Sequence, residues 1–399
     1  MSSSSHHYST QVRKTEGRTN LPKEAESNPH HVKKGGKVVG FRNPYPSFAD
    51  IQVFSAILWP YITGRMRYPD TANHGISVVE PKWSPSRFSQ QTNGNIRATW
   101  LGHASYYVEF PSGLRVLTDP VFEERCAPRI ATTFGLGPKR YTRAPCSVQD
   151  IPIVDVVLIS HNHYDHLSNP TIAEVRRYHP DAHYFVSRGL ATWFHSHGIT
   201  KVTELDWWED AELSVTVKDD AGQPTTMTAT LSCLPAQHSS ARTLWDRDAT
   251  LWSSWAVRSS GRSLWFAGDT GYARTYKVKG ETTIPTDPNP QFRQIGEHRG
   301  PFDLGLIPIG AYDPRDAFSS VHTDPFGSVE IFRETRCRRA MAIHWGTWTL
   351  TSEHVLEPPM LLKEALRRRQ IPEEGVFDVC DIGEAREFPG GDDTDESEE

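Results

Sequence analysis

Short apolar runs rich in β-branched residues recur along the chain, and turns that contain Gly, Pro, Asn or Asp separate them. Runs of this length and composition predict buried strands. We predict strands at residues 97–110, 114–118, 154–160, 227–235, 250–258, 263–267, 304–309 and 339–343. Helices are expected at 170–178, 324–334 and 358–369, and the first two open with a cap and a proline, at Asn169 and Asp324. Strands grouped with helices in two halves predict an α/β fold, a four-layer αβ/βα sandwich.

Residues 51–62 form the most apolar segment, and its large side chains follow helical spacing at Ile51, Phe54, Ile57, Leu58 and Tyr61. Pro60 should end this helix near Trp59, and two arginines follow at 65 and 67. A short apolar helix with flanking cations is typical of a lipid interface, so we predict a membrane-facing helix. The alternative is a helix that packs on the sheet of its own domain.

Composition divides the chain into one domain and two tails. Residues 1–40 are polar, basic and rich in Ser and His, so we expect a disordered segment in which His6, His7, His30 and His31 are solvated. Residues 389–399 form an acidic, disordered tail. The candidate ligands described below are spread widely, so residues 41–388 are expected to form a single domain. The net charge of −6 gives no basic footprint for nucleic acid.

Cysteine usage and hydropathy bear on the compartment. The five cysteines stand singly and form no C-x-x-C pair, which indicates a reducing environment. No apolar run approaches the roughly 20 residues that span a bilayer, and the first residues lack the apolar core of a signal peptide. We therefore expect a cytoplasmic protein in peripheral contact with a membrane. Early basic residues such as Arg13 leave a mitochondrial membrane as the alternative address.

The hexapeptide 161–166 carries the most chemistry, because it places three imidazoles and one carboxylate directly after the apolar strand 154–160. His161 and His163 alternate, so both side chains can face one metal ion, while Asp165 and His166 can face a second. Imidazole nitrogen suits zinc, and a carboxylate adds a harder oxygen ligand. A solvated histidine cluster is the alternative, but a loop at a strand end is held rigidly, as a catalytic site requires.

Three further candidate ligands each follow a predicted strand: His238, Asp269 and His344. Any one of them alone would more often be structural. Together with the loop 161–166 they supply seven ligands, which is difficult to explain by core packing. A structural zinc site is usually closed by four protein ligands, whereas seven ligands for two ions leave room for water. The set therefore favours catalysis.

The pattern H-x-H-x-D-H at 161–166 resembles the signature of the metallo-β-lactamase superfamily, whose fold is an αβ/βα sandwich. Further motifs are similar to its N-acyl-phosphatidylethanolamine-hydrolysing phospholipase D branch: WLGHA at 100–104, LTDP at 117–120, GPKR at 137–140, ELDWWE at 204–209, FAGDTGY at 266–272, IGAY at 309–312, HWGT at 344–347 and EHVLEPP at 353–359. The resemblance runs from about residue 41 to residue 371.

The resemblance implies how two zinc ions would be held. It assigns His161, His163 and His238 to one ion and Asp165, His166 and His344 to the other, with Asp269 as the bridge. Spacing alone does not decide which ligand takes which metal. His103 and Asp119 are expected to support ligands rather than bind a metal, because supporting groups are usual around zinc.

The resemblance also implies a reaction. A metal-bound hydroxide would attack phosphorus in N-acyl-phosphatidylethanolamine and release N-acylethanolamine and phosphatidic acid. Asp269, Asp165 and His322 are the expected catalytic residues, and His322, Arg242 and Tyr312 the expected substrate-binding residues. The expected partner is phospholipid at a membrane surface, and a homodimer is a further expectation. No G-x-S-x-G nucleophile elbow occurs in the sequence.

The chain departs from the pattern of the branch in three places. Residues 130–136 are more apolar than expected, Val321 stands where a glutamine is expected, and 274–298 is extended and reads as a surface loop or insertion. Two alternative functions therefore stay open: a soluble dinuclear-zinc phosphodiesterase or lactonase, and a non-catalytic lipid-binding protein with a structural metal site. The apolar segment 51–62 argues against a soluble substrate.

Overall fold

A computed structural model describes residues 8–50, 67–72, 74–84, 86–88, 94–219, 221–243, 245–276 and 284–390. Three sequence predictions lie outside these residues: the membrane-facing helix at 51–62, the exposure of His6 and His7, and nearly all of the acidic tail 389–399. None of the helices in the described part of the chain is both long and apolar enough to cross a bilayer.

Two large sheets form the centre of the fold. The first has the strand order β1-β10-β11-β12-β13-β16-β17-β18. Its strands are β1 (Ser9–Lys14), β10 (Glu209–Lys218), β11 (Pro224–Leu234), β12 (Ser254–Ser259), β13 (Arg262–Phe266), β16 (Phe302–Pro308), β17 (Cys337–Ile343) and β18 (Phe377–Asp378). Pairing is antiparallel from β1 to β13 and parallel from β13 to β18.

The second sheet follows the same plan, with the order β19-β4-β5-β6-β7-β8-β9. Its strands are β4 (Ile96–Gly102), β5 (Ser105–Glu109), β6 (Arg115–Thr118), β7 (Val156–Ile159), β8 (His183–Ser187), β9 (Val202–Leu205) and β19 (Ala385–Phe388). Pairing is antiparallel up to β6 and parallel from β6 to β9. Two small hairpins complete the strands: β2 (His31–Lys34) with β3 (Lys37–Phe41), and β14 (Thr275–Tyr276) with β15 (Ile284–Pro285).

Helices separate strands of both sheets along the chain, and some of them pack on the sheets. They are α1 (Arg129–Thr133), α2 (Asn169–Tyr178), α3 (Ala191–Ser196), α4 (Gln291–His298), α5 (Arg315–Phe318), α6 (Pro325–Glu334) and α7 (Glu357–Arg368). Successive side chains of a strand point to opposite faces, so Val116 packs in the core between the sheets while Leu117 packs with Val175 of α2. Phe292 of α4 and Leu366 of α7 join the larger core. The predicted four-layer α/β sandwich is confirmed.

Several predicted boundaries differ from the structure. The predicted strand 97–110 is two strands, because the chain turns at His103, where φ is +51°. The cap of α2 is Ser168, whose side chain accepts a hydrogen bond from the Thr171 amide, and not Asn169. Asp324 caps α6 as predicted and accepts from the Gly327 amide. The stretch 274–298, predicted to be a loop, includes helix α4.

The prediction that residues 1–40 are disordered is wrong for the described residues 8–40. Strand β1 pairs with β10 over six residues and extends the larger sheet, so its polar side chains are those of an edge strand. His30 and His31 are 2% and 8% exposed, and the expectation that they are solvated is also wrong. Both imidazoles are hydrogen bonded to Asp206, and this contact explains their burial. The composition of the segment carries no sign of this distant partner.

Candidate metal centre

The seven predicted ligands meet where strands of both sheets end. The loop 161–166 leaves β7, whose four residues are all buried. His238 follows β11, Asp269 follows β13 and His344 is the residue after β17. Each ligand is therefore anchored by a buried strand, which fixes its position more closely than a free loop would. The structure brings all seven predicted ligands together.

One group of ligand atoms consists of three imidazole nitrogens. The Nε2 atom of His161 lies 2.9 Å from Nδ1 of His163, and the Nε2 atom of His238 lies 3.2 Å from the same Nδ1. Tetrahedral zinc with nitrogen ligands requires a separation of about 3.3 Å between neighbouring nitrogens. The three nitrogens are thus arranged as the ligands of one ion would be.

A second group combines two imidazoles with two carboxylates. The Nε2 atoms of His166 and His344 each lie 3.5 Å from Oδ2 of Asp165. The Oδ2 atom of Asp269 lies 3.1 Å from the first nitrogen and 3.0 Å from the second. These spacings again surround a position that a cation could share.

Asp269 connects the two groups. Its Oδ2 atom also lies 3.7 Å from Nε2 of His238 and 4.0 Å from Nε2 of His161. One carboxylate oxygen is therefore near ligands of both groups, and its Oδ1 atom is buried without a hydrogen bond among the described residues. A carboxylate in this position can contact two ions at once.

Oxygen atoms behind the imidazoles fix their ring orientation. Nδ1 of His166 donates to Asp119 over 2.6 Å, and Nδ1 of His238 donates to the Val321 carbonyl over 3.0 Å. Nδ1 of His344 lies 3.4 Å from the Gly310 carbonyl. In each ring this contact turns Nε2 toward the other ligands, which is the arrangement that zinc-binding histidines usually show.

Ser160 was not identified from the sequence, although it couples ligands of the two groups. Its hydroxyl donates to Oδ2 of Asp119 over 2.5 Å, so its oxygen is free to accept from Nδ1 of His161 at 2.9 Å. Asp119 thus supports His166 directly and His161 through Ser160. The only sequence signal is the position of Ser160 between β7 and the first histidine. Asp119 itself holds ligands in place, as predicted.

One structural observation, independent of the sequence pattern, indicates that these ligands fit a metal ion. Nε2 of His166 and Nε2 of His344 are buried and make no hydrogen bond of good geometry with any described residue. Leaving a buried polar atom unpaired costs about 1–3 kcal/mol, so several in one place need an explanation. Imidazole and carboxylate donors without a thiolate suit zinc and other first-row metals. The residues present fit a metal centre.

Burial and charge separate the protonation states of the cluster. Burial lowers the pKa of His238 to about 3, so this imidazole is neutral at neutral pH. Burial would raise the pKa of Asp269, but His166 and His344 outweigh it and hold this pKa well below its usual range. Burial opposes a charge on His344, yet the neighbouring carboxylates raise its pKa to about 9. Metal binding at the second group must therefore release protons.

The predicted catalytic residue His322 lies beside the cluster. Its Nδ1 atom is 3.9 Å from Oδ2 of Asp269, and its ring stacks on that of His344 with centroids 5.0 Å apart. The side chain is 15% exposed, whereas the rings of His166 and His344 are shielded from solvent. Of these three imidazoles, His322 is therefore the one that solvent reaches most readily. Its catalytic role stays a prediction.

Arg242 holds the metal loop. Its Nη1 atom donates to the carbonyls of Asn162 and Leu167, and its Nη2 atom donates to the side chain of Asn169. The guanidinium also lies 4.1 Å from the ring centre of Tyr164. These contacts support a positioning role, and the prediction that Arg242 binds substrate stays a prediction.

Tyr312 is buried, and its hydroxyl donates to Glu357 over 2.7 Å. Glu353, which sequence reasoning did not single out, accepts from the amides of Ala311 and Asp313 and holds the same turn beside Gly310. His103 lies 3.1 Å from Oδ2 of Asp165, a supporting position as predicted. The substrate-binding role of Tyr312 also stays a prediction.

A second cluster of the same residue types lies elsewhere in the fold. Nε2 of His30 and Nε2 of His31 each lie 2.7 Å from an oxygen of Asp206. The same carboxylate accepts from Nη1 of Arg188 and from the amide of Trp207. Both imidazole Nε2 atoms are hydrogen bonded there and the carboxylate takes four donors. This second cluster is therefore a saturated hydrogen-bond network.

Comparison with known proteins identifies a family and several similar proteins. A family model described as the β-lactamase superfamily domain matches residues 114–345. A Caenorhabditis elegans protein named N-acyl-phosphatidylethanolamine-hydrolyzing phospholipase D 1 is 39% identical over 293 residues, which are 72% of this chain and 74% of the relative. A metallo hydrolase of Ignicoccus hospitalis, Igni18, matches 74% of this chain and 100% of its own at 17% identity, with a TM-score of 0.49.

A yeast relative from Saccharomyces cerevisiae is named N-acyl-phosphatidylethanolamine-hydrolyzing phospholipase D, mitochondrial. It is 32% identical over 262 residues, which are 65% of this chain. The match spans 49% of the yeast protein, so about half of that relative has no counterpart in the aligned region.

Proposed function

The chain belongs to the β-lactamase superfamily and, within it, to the family of N-acyl-phosphatidylethanolamine-hydrolysing phospholipases D, and from this premise we propose its substrate and metals. It is a metal-dependent hydrolase. We propose that it binds two zinc ions and hydrolyses N-acyl-phosphatidylethanolamine to N-acylethanolamine and phosphatidic acid. The C. elegans relative, which carries this activity in its name, supports the choice of substrate.

One observation carries the proposal: a single carboxylate oxygen, Oδ2 of Asp269, lies within 4.0 Å of nitrogen atoms in both ligand groups. A carboxylate shared by two ions is suited to displacement at phosphorus, where attacking and leaving oxygens must both be stabilised. A pair of zinc ions, when bound, would lower the pKa of water toward about 7 and offset charge on the phosphate.

The side chains have separate roles in this proposal. His161, His163 and His238 would hold one ion, Asp165, His166 and His344 would hold the other, and Asp269 would contact both. Asp269 and Asp165 remain ionised at neutral pH, because neighbouring imidazoles hold the pKa of each carboxyl well below its usual range against the opposing effect of burial. Two fixed negative charges would balance part of the charge of the ions when these are bound.

His322 is proposed to contact the phosphate or the leaving oxygen. Burial holds its pKa well below the usual value, so the ring is neutral at neutral pH and keeps one N–H. A neutral imidazole can donate that hydrogen bond without adding charge. His322→Gln should therefore lower kcat about 10²-fold or more while the zinc content stays unchanged, whereas a purely structural role would lower kcat and zinc together.

Arg242 and Tyr312 are proposed to contact the substrate only after rearrangement, because both already have partners. The guanidinium of Arg242 binds carbonyls of the metal loop, and the hydroxyl of Tyr312 binds Glu357. A simpler proposal is that Arg242 positions the loop and Tyr312 the turn beside Gly310. Both proposals predict that substitution of Arg242 or Tyr312 reduces activity. Only substrate contact predicts that KM rises while the conformation of the metal loop stays unchanged.

The proposed setting is the surface of a membrane that contains phospholipid. The protein is proposed to attach peripherally from the cytoplasm, with a mitochondrial membrane as the alternative address. The printed name of the yeast relative supports that alternative. A homodimer is proposed as the solution state, and binding of nucleic acid is not part of the proposal.

Hydrolysis of N-acyl-phosphatidylethanolamine vesicles by the purified full chain tests the proposal, with zinc quantified in the same sample. Asp269→Asn should abolish release of both products. Asp181→Asn is the matched control, because Asp181 is a half-exposed carboxylate paired with Lys201. Full zinc occupancy without turnover of the lipid would favour the soluble phosphodiesterase or lactonase alternative, and assays with soluble diesters and lactones would separate these two.

A further inference from the structure

Exposed apolar side chains are concentrated on two loops. Among the described residues, five large apolar side chains are more than 60% exposed, and four of them lie on these loops. Ile130, Phe134 and Leu136 belong to the loop 125–139, which includes the short helix α1, and are 75%, 76% and 61% exposed. Trp245, in the loop that follows Arg242, is 91% exposed. We name these four residues the rim surface. Large apolar side chains that are concentrated on a few exposed loops are candidates for an interaction site.

Tyr164 of the metal loop is linked to both loops, through an apolar cluster for the first and through direct contacts with Arg242 for the second. Cys126 packs with Val121 and Trp348 in a small apolar cluster, and the ring of Tyr164 packs against that cluster. The hydroxyl of Tyr164 donates to the carbonyl of Arg242, whose guanidinium lies over the Tyr164 ring. Tyr164 lies between His163 and Asp165 in the chain. The two loops that carry the rim surface are therefore anchored beside the metal loop.

The loop 125–139 is held in a defined shape. Arg125 donates to the carbonyl of Gly137, and the amide of Cys126 donates to the carbonyl of Pro138. At Gly137 φ is +92°, and a side chain there would place its Cβ 2.3 Å from Cβ of Ala127. Only glycine fits such a close approach, so the conformation that exposes Phe134 and Leu136 depends on residue identity.

The same loop is positively charged. Residues 125–139 contain Arg125, Arg129 and Lys139 and no acidic residue. Lys139 pairs with Glu124 just outside the loop, while Arg129 is exposed and makes no ion pair with any described residue. Apolar side chains beside cations complement the interface of an anionic bilayer, where rings enter the head-group region and cations meet phosphates.

We propose that the rim surface is where this protein docks on a bilayer that contains anionic phospholipid. The proposal rests on the proposed function, because an enzyme acting on a phospholipid must bring its metal centre to the head group. A second copy of the chain is a poorer occupant, since a two-fold contact would set the basic loop against itself. The docking residues lie outside the segment 51–62 that sequence analysis favoured.

Vesicle sedimentation with the full-length zinc-loaded protein tests the proposal. Phosphatidylcholine vesicles with and without phosphatidic acid are the probes. The double variant Phe134→Ser/Trp245→Ser should reduce the fraction bound to anionic vesicles by about tenfold or more, since two large apolar contacts are lost. Arg129→Gln should reduce binding about fivefold at low salt and less at high salt. Met360→Ser is the matched control, because Met360 is 69% exposed on helix α7.

Three further readouts make the result decisive. The zinc content of each variant shows whether the fold is intact. Turnover of N-acyl-phosphatidylethanolamine in detergent micelles by each variant should stay close to that of the wild type. Wild-type binding of the double variant to vesicles would overturn the proposal. Loss of a dimer in sedimentation velocity, with unchanged vesicle binding, would overturn it in favour of a second copy. Vesicle binding that depends on the rim surface without any lipid turnover would leave this inference standing and reject the proposed function.

Discussion

The metal centre and the His30–His31–Asp206 cluster are built from the same residue types and differ in how their polar atoms are paired. Both are buried, and both gather imidazoles around a carboxylate. In the metal centre the Nε2 atoms of His166 and His344 have no hydrogen bond of good geometry with a described residue. In the second cluster the corresponding atoms of His30 and His31 both bind Asp206 at 2.7 Å.

This difference in pairing distinguishes a metal site from a saturated hydrogen-bond network more clearly than residue type does. Buried nitrogens without a hydrogen bond of good geometry have lost their contacts with water and need a ligand to offset that loss. Saturated imidazoles have already gained their partners, and a metal would have to displace those partners. The second cluster also includes Arg188, a permanent cation that would repel a bound metal ion. We therefore expect the metal centre alone to bind zinc and the second cluster to fix the N-terminal segment.

Removing the metal should produce the largest difference in response between the two clusters, because only the metal centre is expected to hold ions. Dialysis against a chelator should lower hydrolysis by about 10³-fold or more, because the proposed reaction needs the ions for both the nucleophile and the phosphate charge. Added zinc should restore the activity. The measurement is turnover against zinc content, and the expected stoichiometry is two ions per chain. Three or more tightly bound ions would contradict the assignment of the second cluster as metal-free.

Asp206→Asn should have the next largest effect, and on stability rather than metal content. Removing one partner from a buried charged network costs about 3 kcal/mol or more. Urea unfolding should show this loss of free energy of unfolding, while zinc content stays at the wild-type value. Asp181→Asn, which alters a half-exposed pair with Lys201, should cost about 0.5 kcal/mol or less. Loss of zinc in a folded Asp206→Asn protein would show that the clusters are not independent.

Asp119→Asn tests whether a supporting carboxylate tunes the metal centre. The amide oxygen can still accept from Nδ1 of His166 and from the Ser160 hydroxyl at the position of Oδ2, while the amide nitrogen replaces the Oδ1 acceptor of the Ser160 amide. The variant lacks the negative charge that strengthens His166 as a ligand. Substitution of such supporting groups usually weakens metal affinity about 10–100-fold. Competition with a zinc chelator would measure the change. An unchanged affinity would mean that geometry alone, and not charge, is what Asp119 supplies.

The second cluster should also make stability depend on pH. Burial lowers the pKa of His30 despite the hydrogen bond to Asp206, so the unfolded chain binds a proton near pH 6.5 that the folded chain does not. Stability from this group is therefore present above pH 6.5 and is lost as the pH falls, by up to about 1 kcal/mol per pH unit. His30→Gln keeps a donor for Asp206 and should flatten the decline between pH 6.5 and 5. An equal slope in both proteins would assign the acid sensitivity to the metal ligands instead.

The metal centre could be predicted from sequence because its signals are local. Spacing in the loop 161–166 and the position of each later ligand at a strand end are visible in the chain itself. The network behind the ligands could not be predicted in the same way. Ser160 couples His161 to Asp119 through geometry that only the fold creates, and Arg242 reaches the metal loop from a turn 80 residues away.

The N-terminal segment shows why composition alone was insufficient. Its polar residues predict disorder, yet an edge strand needs few apolar side chains because its backbone hydrogen bonds do much of the pairing. The partner of His30 and His31 lies 176 and 175 residues away. No periodicity links such distant positions. The helices at 169–178, 325–334 and 357–368 were predicted because they depend on local periodicity and capping, whereas this contact is a side-chain hydrogen bond between distant parts of the chain.

The pairing of β1 with β10 has a consequence for synthesis. Ser9 pairs with Thr216, so this strand leaves the ribosome long before its partner exists. At about 5–20 residues per second, the roughly 200 intervening residues take about 10–40 s to translate. During that interval the strand presents unpaired backbone groups beside a polar, basic sequence that disfavours aggregation. The hydrophilic composition, which resembles that of a disordered tail, therefore keeps this strand solvated until the rest of its sheet has been synthesised.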